Sequence, residues 1–199
     1  KGIQIGKEAI EKVLAANPNY DCGFGISKGV GKGRLMSSNG LDVWTQTTAI
    51  GIGIDILLVR DNGLLSVNEG ESSTKLIEDI DRHTVKALHS LKLAEKEFKI
   101  ATGGYPVVFT SKAIGTLLST FESGCNGKLV QKGASPLTDR LGEKIIDERI
   151  TIYDDPTIDY ADGSFICDDE GVPGQKTLIF ESGELKNFIY DLQTAGIMN

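Results

Sequence analysis

The sequence is poor in metal-binding imidazole: its two histidines, His83 and His89, stand six apart in a stretch of helical character. Six residues turn a helix by about 600°, so the two rings face different sides and cannot share a metal ion. Asp79, four residues before His83, could meet it on one face, where a solvated pair is the expected outcome. Cysteine is scarce too. Cys22, Cys125 and Cys167 are odd in number and widely spaced, which excludes a disulfide framework or a zinc knuckle and leaves reduced thiols. No apolar run is long enough to cross a bilayer; the longest, Ala49 to Val59, contains Asp55. Positive charge is also in deficit, with 21 basic against 28 acidic side chains. The imbalance lies beyond residue 100: up to there the chain holds thirteen of each sign, afterwards eight basic against fifteen acidic. Such a surface repels phosphate backbones, so nucleic acid is not an expected partner. One basic group, Lys28, Lys32 and Arg34, sits in a glycine-rich loop.

That loop, GFGISKGVGKGR from Gly23 to Arg34, lacks the P-loop's four-residue gap before Gly-Lys-Ser/Thr, and no strong helix follows it. Its glycines fit bends and close backbone approach in a sheet instead. A nucleophilic arrangement is missing as well. Ser111 beside Lys112 suggests a Ser-Lys dyad, yet neighbours at a helix start point in different directions. Ser111 reads better as a cap that accepts from free backbone N–H groups.

What is present is the patterning of an α+β protein, 40% hydrophobic and 25% charged over a length that can bury a core. Ile10, Val13 and Leu14 predict a short helix from Gly6 that stops at Asn17-Pro18. A stretch rich in β-branched residues follows, with Asn39-Gly40 and Asn62-Gly63 as turn signals, and predicts a meander of three or four antiparallel strands. Leu76, Ile77, Ile80, Thr84, Ala87, Leu88 and Leu91 predict a long amphipathic helix from Ser73 to about Phe98, capped by Ser72, Ser73 or Thr74. TGGYPVVFT predicts a short buried strand, and Ile114, Leu117, Leu118 and Phe121 a further helix with Gly124 as its C-terminal cap. ERITIYDDP predicts a strand, and KTLIFESGELKNFIYD a hairpin turning at Glu181-Ser182-Gly183-Glu184. We expect antiparallel β-rich layers with a long packing helix, in two portions: 1–100, a β meander plus the helix, and a β-rich 101–199. The opening Lys1-Gly2 without Met and the closing AGIMN suggest a piece of a longer protein.

The consecutive acids Asp168, Asp169 and Glu170 pose the sharpest question. Calcium and magnesium loops space their acids at alternate positions, and on an extended strand only Asp168 and Glu170 could converge. Val172-Pro173-Gly174-Gln175 matches a type II turn, with glycine at φ > 0 in third place, so the acids read as its solvated approach. Nine acids between Asp147 and Glu170 face one base, Arg149. This density makes Asp168, Asp169 and Glu170 candidates for contact with a basic peptide or partner surface.

Taken together, DDPTIDYADGSFICDDEGVPGQKTLIFESGELKNFIYDLQTA resembles a signature of the TldD/PmbA family, also described as modulators of DNA gyrase. The order is Asp-Asp-Pro, Gly-Ser-Phe, Asp-Asp-Glu-Gly-Val-Pro, a Thr-Leu-Ile strand, Gly-Glu-Leu and Asp-Leu-Gln-Thr-Ala. Upstream, SSNG, the long helix and GASPLTDRLGEKI extend the resemblance over most of the chain.

The resemblance implies a fragment of a longer α+β chain and, for the family's active branch, a zinc metalloprotease. There a His-Glu-x-x-x-His helix supplies the two zinc-binding histidines and a water-activating glutamate. In SKAIGTLL the matching positions are held by Ser111, Lys112 and Thr116, so no catalytic or metal-binding residue is expected here. This departure resembles the PmbA (TldE)-like branch, a subunit that pairs with a zinc-bearing TldD-like subunit in a cytoplasmic protease. Such a pair trims unfolded peptides, takes part in maturing peptide antibiotics and removes an antitoxin. Zinc is then expected in the partner. The alternative is a stand-alone homodimer that binds peptides or a gyrase-related partner without proteolysis.

Overall fold

Side chains alternate with glycine and small residues over long stretches of the first hundred residues, and these stretches become the longest strands of the molecule. The computed structural model describes residues 2–61 and 63–198. It divides into two units, Lys1–Thr102 with Asp159–Gly163, and Gly103–Ile158 with Ser164–Asn199.

In the first unit the order is α1 (Gly2–Ala16), β1 (Tyr20–Met36), β2 (Asp42–Arg60), β3 (Gly63–Ser73) and α2 (Asp81–Ala94). The three strands form one antiparallel meander, β1-β2-β3. Pairing of β1 with β2 runs from Tyr20↔Leu58 to Met36↔Asp42, and β3 joins β2 between Ile50↔Ser73 and Arg60↔Gly63. The Asn39-Gly40 signal lies in the first turn, where Gly40 takes φ +92° and its N–H donates to the Ser37 carbonyl at 3.2 Å. Asn62 of the second signal lies outside the described residues. The expected glycine-rich loop is itself strand β1: its pairing partner β2 draws the whole of Gly23 to Arg34 into a ladder.

The core of this unit joins both helices to the sheet. Ala9 and Val13 of α1 and Ala87 and Leu91 of α2 pack with Tyr20, Ile54 and Ile56. Each large aliphatic side chain so buried contributes about 1.5–3 kcal/mol. The stripe of α1 differs from the expected one: Gly6, Ala9 and Val13 face inward while Leu14 is exposed. Gly6 lies against the Phe24 ring, and small residues there let the helix approach the sheet.

Helix α2 starts eight residues later than predicted. Ser72 and Ser73 belong to β3, so they cannot cap a helix, and Ile80 holds the N-cap position without a side-chain bond. Ile77 instead leaves the sheet edge in irregular backbone and packs on Ile50 and Ile52. Its spacing from Ile80 mimics a helical stripe without requiring one. The segment Asp159–Gly163 also belongs to this unit: the Tyr160 carbonyl accepts from Thr74 N–H at 3.3 Å and Ser73 Oγ at 3.2 Å.

The second unit contains α3 (Gly115–Gly124), α4 (Gly127–Gln131), β4 (Ile152–Asp154), β5 (Thr177–Glu181), β6 (Glu184–Leu185) and α5 (Leu192–Met198). Its antiparallel sheet has the order β4-β5-β6. Phe180 and Leu185 are fully buried among Cys125, Leu137 and Ile179, and Phe121 meets Phe180 edge-on at 5.7 Å. The predicted hairpin turn is present as a primed turn, with Ser182 at φ 46° and Gly183 at φ 82°. The predicted strand in TGGYPVVFT is absent: the segment is irregular, and Val108 is 91% exposed. Its apolar content fits a strand, but no described strand pairs with it. Gly124 is the last helical residue of α3, and the cap position falls to Cys125.

No described helix is long and apolar enough to cross a membrane.

Candidate functional site

The predicted site residues lie in the second unit, around the start of α3 and on a later turn. At the start of α3 the Thr110 carbonyl accepts from Ala113 and Ile114 N–H, both at 2.9 Å, which closes a turn around Ser111 and Lys112. Ser111, Lys112 and Thr116 are all exposed. Ser111 therefore precedes the helix and does not cap it; Ile114 occupies the N-cap position with no side-chain bond. Only Thr116 lies within the regular helix, where its carbonyl accepts from Ser119 Oγ at 3.0 Å. Two neutral hydroxyls and an ammonium group are not a donor set for a divalent metal. Among the described residues no group of three or more His, Cys, Asp or Glu could hold a metal ion.

Further along α3 the surface becomes concave and apolar. Leu118, Phe121 and Cys125 form one wall of a cavity of about 360 Å³, Ile152 and Tyr153 of β4 another, with Ile179, Phe180 and Ile189 beneath. Glu122 and Asp154 are the acids of its lining. Burial pushes the Cys125 thiol up, so it stays protonated at neutral pH and is a poor nucleophile. β4 pairs with β5 on one side only, which leaves its other edge open among the described residues.

The acids of the family-like signature do structural work. Asp168 Oδ1 accepts from Glu170 N–H at 2.9 Å and Val172 N–H at 2.8 Å, and Gly171 N–H donates to the Asp168 carbonyl at 3.1 Å. Gly171 takes φ +83°, whereas Gly174 does not enter the left-handed region. The turn thus falls on Asp168–Gly171, and the predicted type II turn at Val172–Gln175 does not form. An aspartate that can bond its own backbone two and four residues on, followed by glycine, defines a tighter turn than Pro-Gly does here. Glu170 turns away from Asp168: its Oε2 accepts from Leu192 N–H at 2.9 Å, at the start of α5. The three acids do not converge, and Asp169 is left exposed between two committed neighbours.

Two further charged groups were not foreseen. Asp191 Oδ1 accepts from Thr194 N–H at 2.7 Å, and Asp191 Oδ2 lies 2.6 Å from Lys128 Nζ. The Lys128 hydrogen bond, then those from Thr194, hold its carboxyl well below the usual carboxylate range. The pattern Asp-Leu-Gln-Thr was a readable N-cap signal in the sequence; the lysine partner, 63 positions earlier, was not. In the first unit, His83 is buried and meets Glu71 at 3.1 Å, not Asp79. Arg82 also binds Glu71, and that hydrogen bond is the main reason the Glu71 carboxyl lies below its usual range. His89 is exposed.

Residues 102–199 match the family profile described as the PmbA/TldA metallopeptidase C-terminal domain. An uncharacterized protein of Methanocaldococcus jannaschii is 37% identical over 177 residues, 86% of this chain and 40% of that protein. A metalloprotease TldD homolog of Buchnera aphidicola from Acyrthosiphon pisum is 36% identical over 133 residues, 66% of this chain and 27% of its own length. Among solved structures, a candidate modulator of DNA gyrase from Bacteroides thetaiotaomicron superposes with TM-score 0.89 at 27% identity, over 99% of this chain and 46% of that one. TldE from Thermococcus kodakarensis does so with TM-score 0.84 at 26% identity, over 96% and 44%. The chain thus spans less than half the length of each of these relatives. With the signature, the antiparallel α+β fold and these matches in agreement, the chain belongs to the TldD/PmbA family.

Proposed function

We propose that this chain is a non-catalytic, PmbA (TldE)-like subunit of a TldD/PmbA-type zinc metalloprotease that acts on unfolded peptides in the cytoplasm. The observation that carries the reading is the start of α3, where Ser111, Lys112 and Thr116 occupy the positions we assign to the family's zinc motif. These residues do not fit zinc: none is an imidazole or carboxylate, and Lys112 brings a cation to the place of a metal and a general base. No catalytic step is assigned to this chain, and zinc belongs to a TldD-like partner. The contribution of this chain is surface. The open edge of β4 and the apolar cavity beside it suit an extended peptide, which adds main-chain hydrogen bonds to the edge and places an apolar side chain against Phe121 and Ile179.

The decisive experiment is a peptidase assay with metal analysis on the chain alone and mixed with a zinc-motif homologue. Activity confined to the mixture, with zinc only in the homologue, is the expected result. Activity and zinc in this chain alone would overturn the reading. The alignment itself is tested by the triple substitution S111H/K112E/T116H, for which we expect stoichiometric zinc uptake that the parent chain lacks.

The similarity to a candidate modulator of DNA gyrase favours a second reading, a stand-alone homodimer that binds peptide or protein without proteolysis. Peptide binding undiminished in the absence of any zinc-bearing homologue would select it.

A further inference from the structure

The cavity beside β4 is not apolar throughout. Phe121, Ile152 and Ile179 line it, but Glu122 of α3 and Asp154 of β4 belong to the same lining. Both acids are exposed, and among the described residues neither carboxylate has a cation or a hydrogen-bond donor. Other acids of this unit are committed: Asp147 to Arg149, Asp155 to Lys176 and Asp191 to Lys128. Lys176 also lies 4.1 Å over the Tyr153 ring, so its charge is spent on Asp155 and the ring, and the two cavity acids keep no counter-charge. A purely apolar guest would strip water from these carboxylates without replacing it. An acidic guest would meet two like charges. A long basic side chain suits both parts of the lining, with its methylene stem against the apolar wall and its cationic head at a carboxylate.

We infer that the cavity selects extended peptides in which an apolar residue has a lysine or arginine two positions away. The inference rests on the function proposed above, in which such a peptide adds to the open edge of β4 and places an apolar side chain against Phe121 and Ile179. Side chains two apart on an extended strand project to one side, about 7 Å from each other. A cavity of about 360 Å³ has a linear dimension of similar size. The apolar residue therefore fills the cavity while the basic one reaches the acids of its lining. Because both acids stay in contact with solvent, the preference is a modest one.

The test is fluorescence anisotropy of the chain with three labelled heptapeptides, with circular dichroism as the check of folding. Each peptide holds Leu at its centre among serines and threonines, and the positions two before and two after it are Lys, norleucine or Glu. The Lys peptide is expected to bind roughly three- to tenfold tighter than the norleucine peptide, the worth of one or two exposed ion pairs, and the Glu peptide weakest. NaCl at about 500 mM should shrink that advantage. E122Q/D154N should bind the Lys and norleucine peptides alike, and E122K/D154K should prefer the Glu peptide, a reversal that misfolded protein cannot give. D139N/D169N, outside the lining, should keep the parent's preference. Equal binding of all three peptides by the parent chain overturns the inference and leaves the reading of the β4 edge standing. Binding of none overturns both. A preference for Lys that survives E122Q/D154N, or that D139N/D169N loses as fully, also overturns the inference and assigns selection to the general acidity of the unit.

Discussion

Strand β2 keeps one register with β1 along seventeen consecutive pairs, whereas β4 slips its register on β5 after the first of its three residues. The first unit is a repetitive structure: long ladders and an apolar face shared with two helices hold it, and side-chain bonds such as Lys12–Asp81, Arg34–Asp42 and Arg82–Glu71 join one side chain to another rather than close backbone turns. The second is a structure of particular bonds. Asn126 caps α4 through Lys128 and Leu129 N–H, Ser135 Oγ bonds the Gly124 carbonyl, Asp155 holds Thr157, and Asp168, Glu170 and Asp191 each receive backbone N–H groups. Short strands bury little and pair little, so turn chemistry must do what periodicity does in the first unit. This explains why the family signature is readable in this unit. Asp-Asp-Pro, Asp-Asp-Glu-Gly and Asp-Leu-Gln-Thr are a description of how the second unit folds, whatever its chemistry.

Apolar burial should matter equally on both sides of this comparison and gives the largest effects. Phe180→Ala in the second unit is expected to cost about 3–5 kcal/mol, and Ile56→Ala in the first about 2–5 kcal/mol, in urea titrations. A loss well below that for Phe180→Ala alone would mean that turns, not a core, dominate the second unit.

Polar substitution should separate the units. Asp168→Ala removes the acceptor of two backbone N–H groups and is expected to cost about 1–2 kcal/mol, in the range of lost caps. Asp168→Asn keeps an acceptor oxygen and should recover most of it. Equal losses for alanine and asparagine would show that negative charge, not turn closure, is the contribution of Asp168.

Acid should act in the same direction. The Asp191 carboxyl is depressed in the folded state by Lys128 and Thr194, so its contribution is present above the ordinary carboxylate range and is lost as pH falls through the lower folded value. Parent and Asp191→Asn chains should therefore differ most at neutral pH and converge toward pH 2, with the parent losing stability faster on the way down. Parallel pH profiles for the two would sink this assignment.

The sequence made the repetitive half readable because alternation and helical spacing survive in a single chain. It misled where two physical causes produce one pattern. Ile77 and Ile80 have helical spacing but cover a sheet edge, and Val107, Val108 and Phe109 have strand composition but no strand to pair with. In Val172-Pro173-Gly174-Gln175 a strong turn signal lost to Asp168, whose two backbone bonds two and four residues ahead could not be weighed without coordinates. For the candidate site, Ser111, Lys112 and Thr116 could be proposed from the sequence by resemblance to a local motif, although only Thr116 lies in the regular helix. The cavity beside β4 could not, because Phe121, Ile152 and Ile179 meet only after the chain has folded.

The weakest expected effect is the control that gives the comparison its meaning. In the first unit, Lys12 of α1 binds Asp81 at the start of α2, at 2.7 and 2.9 Å, with side chains 43% and 63% exposed. The geometry is as good as that of any bond in the second unit. The bond nevertheless closes no turn and satisfies no backbone group, and water competes for both ions. Lys12→Ala should therefore cost only about 0.2–1 kcal/mol, vanishing at high salt, even though the helix pair it joins lies over the core of Val13 and Leu91. If urea titration instead gives a loss matching that of Asp168→Ala, distance alone would predict the worth of a polar contact in this protein. The distinction between ladder-built and turn-built units would then have to rest on burial.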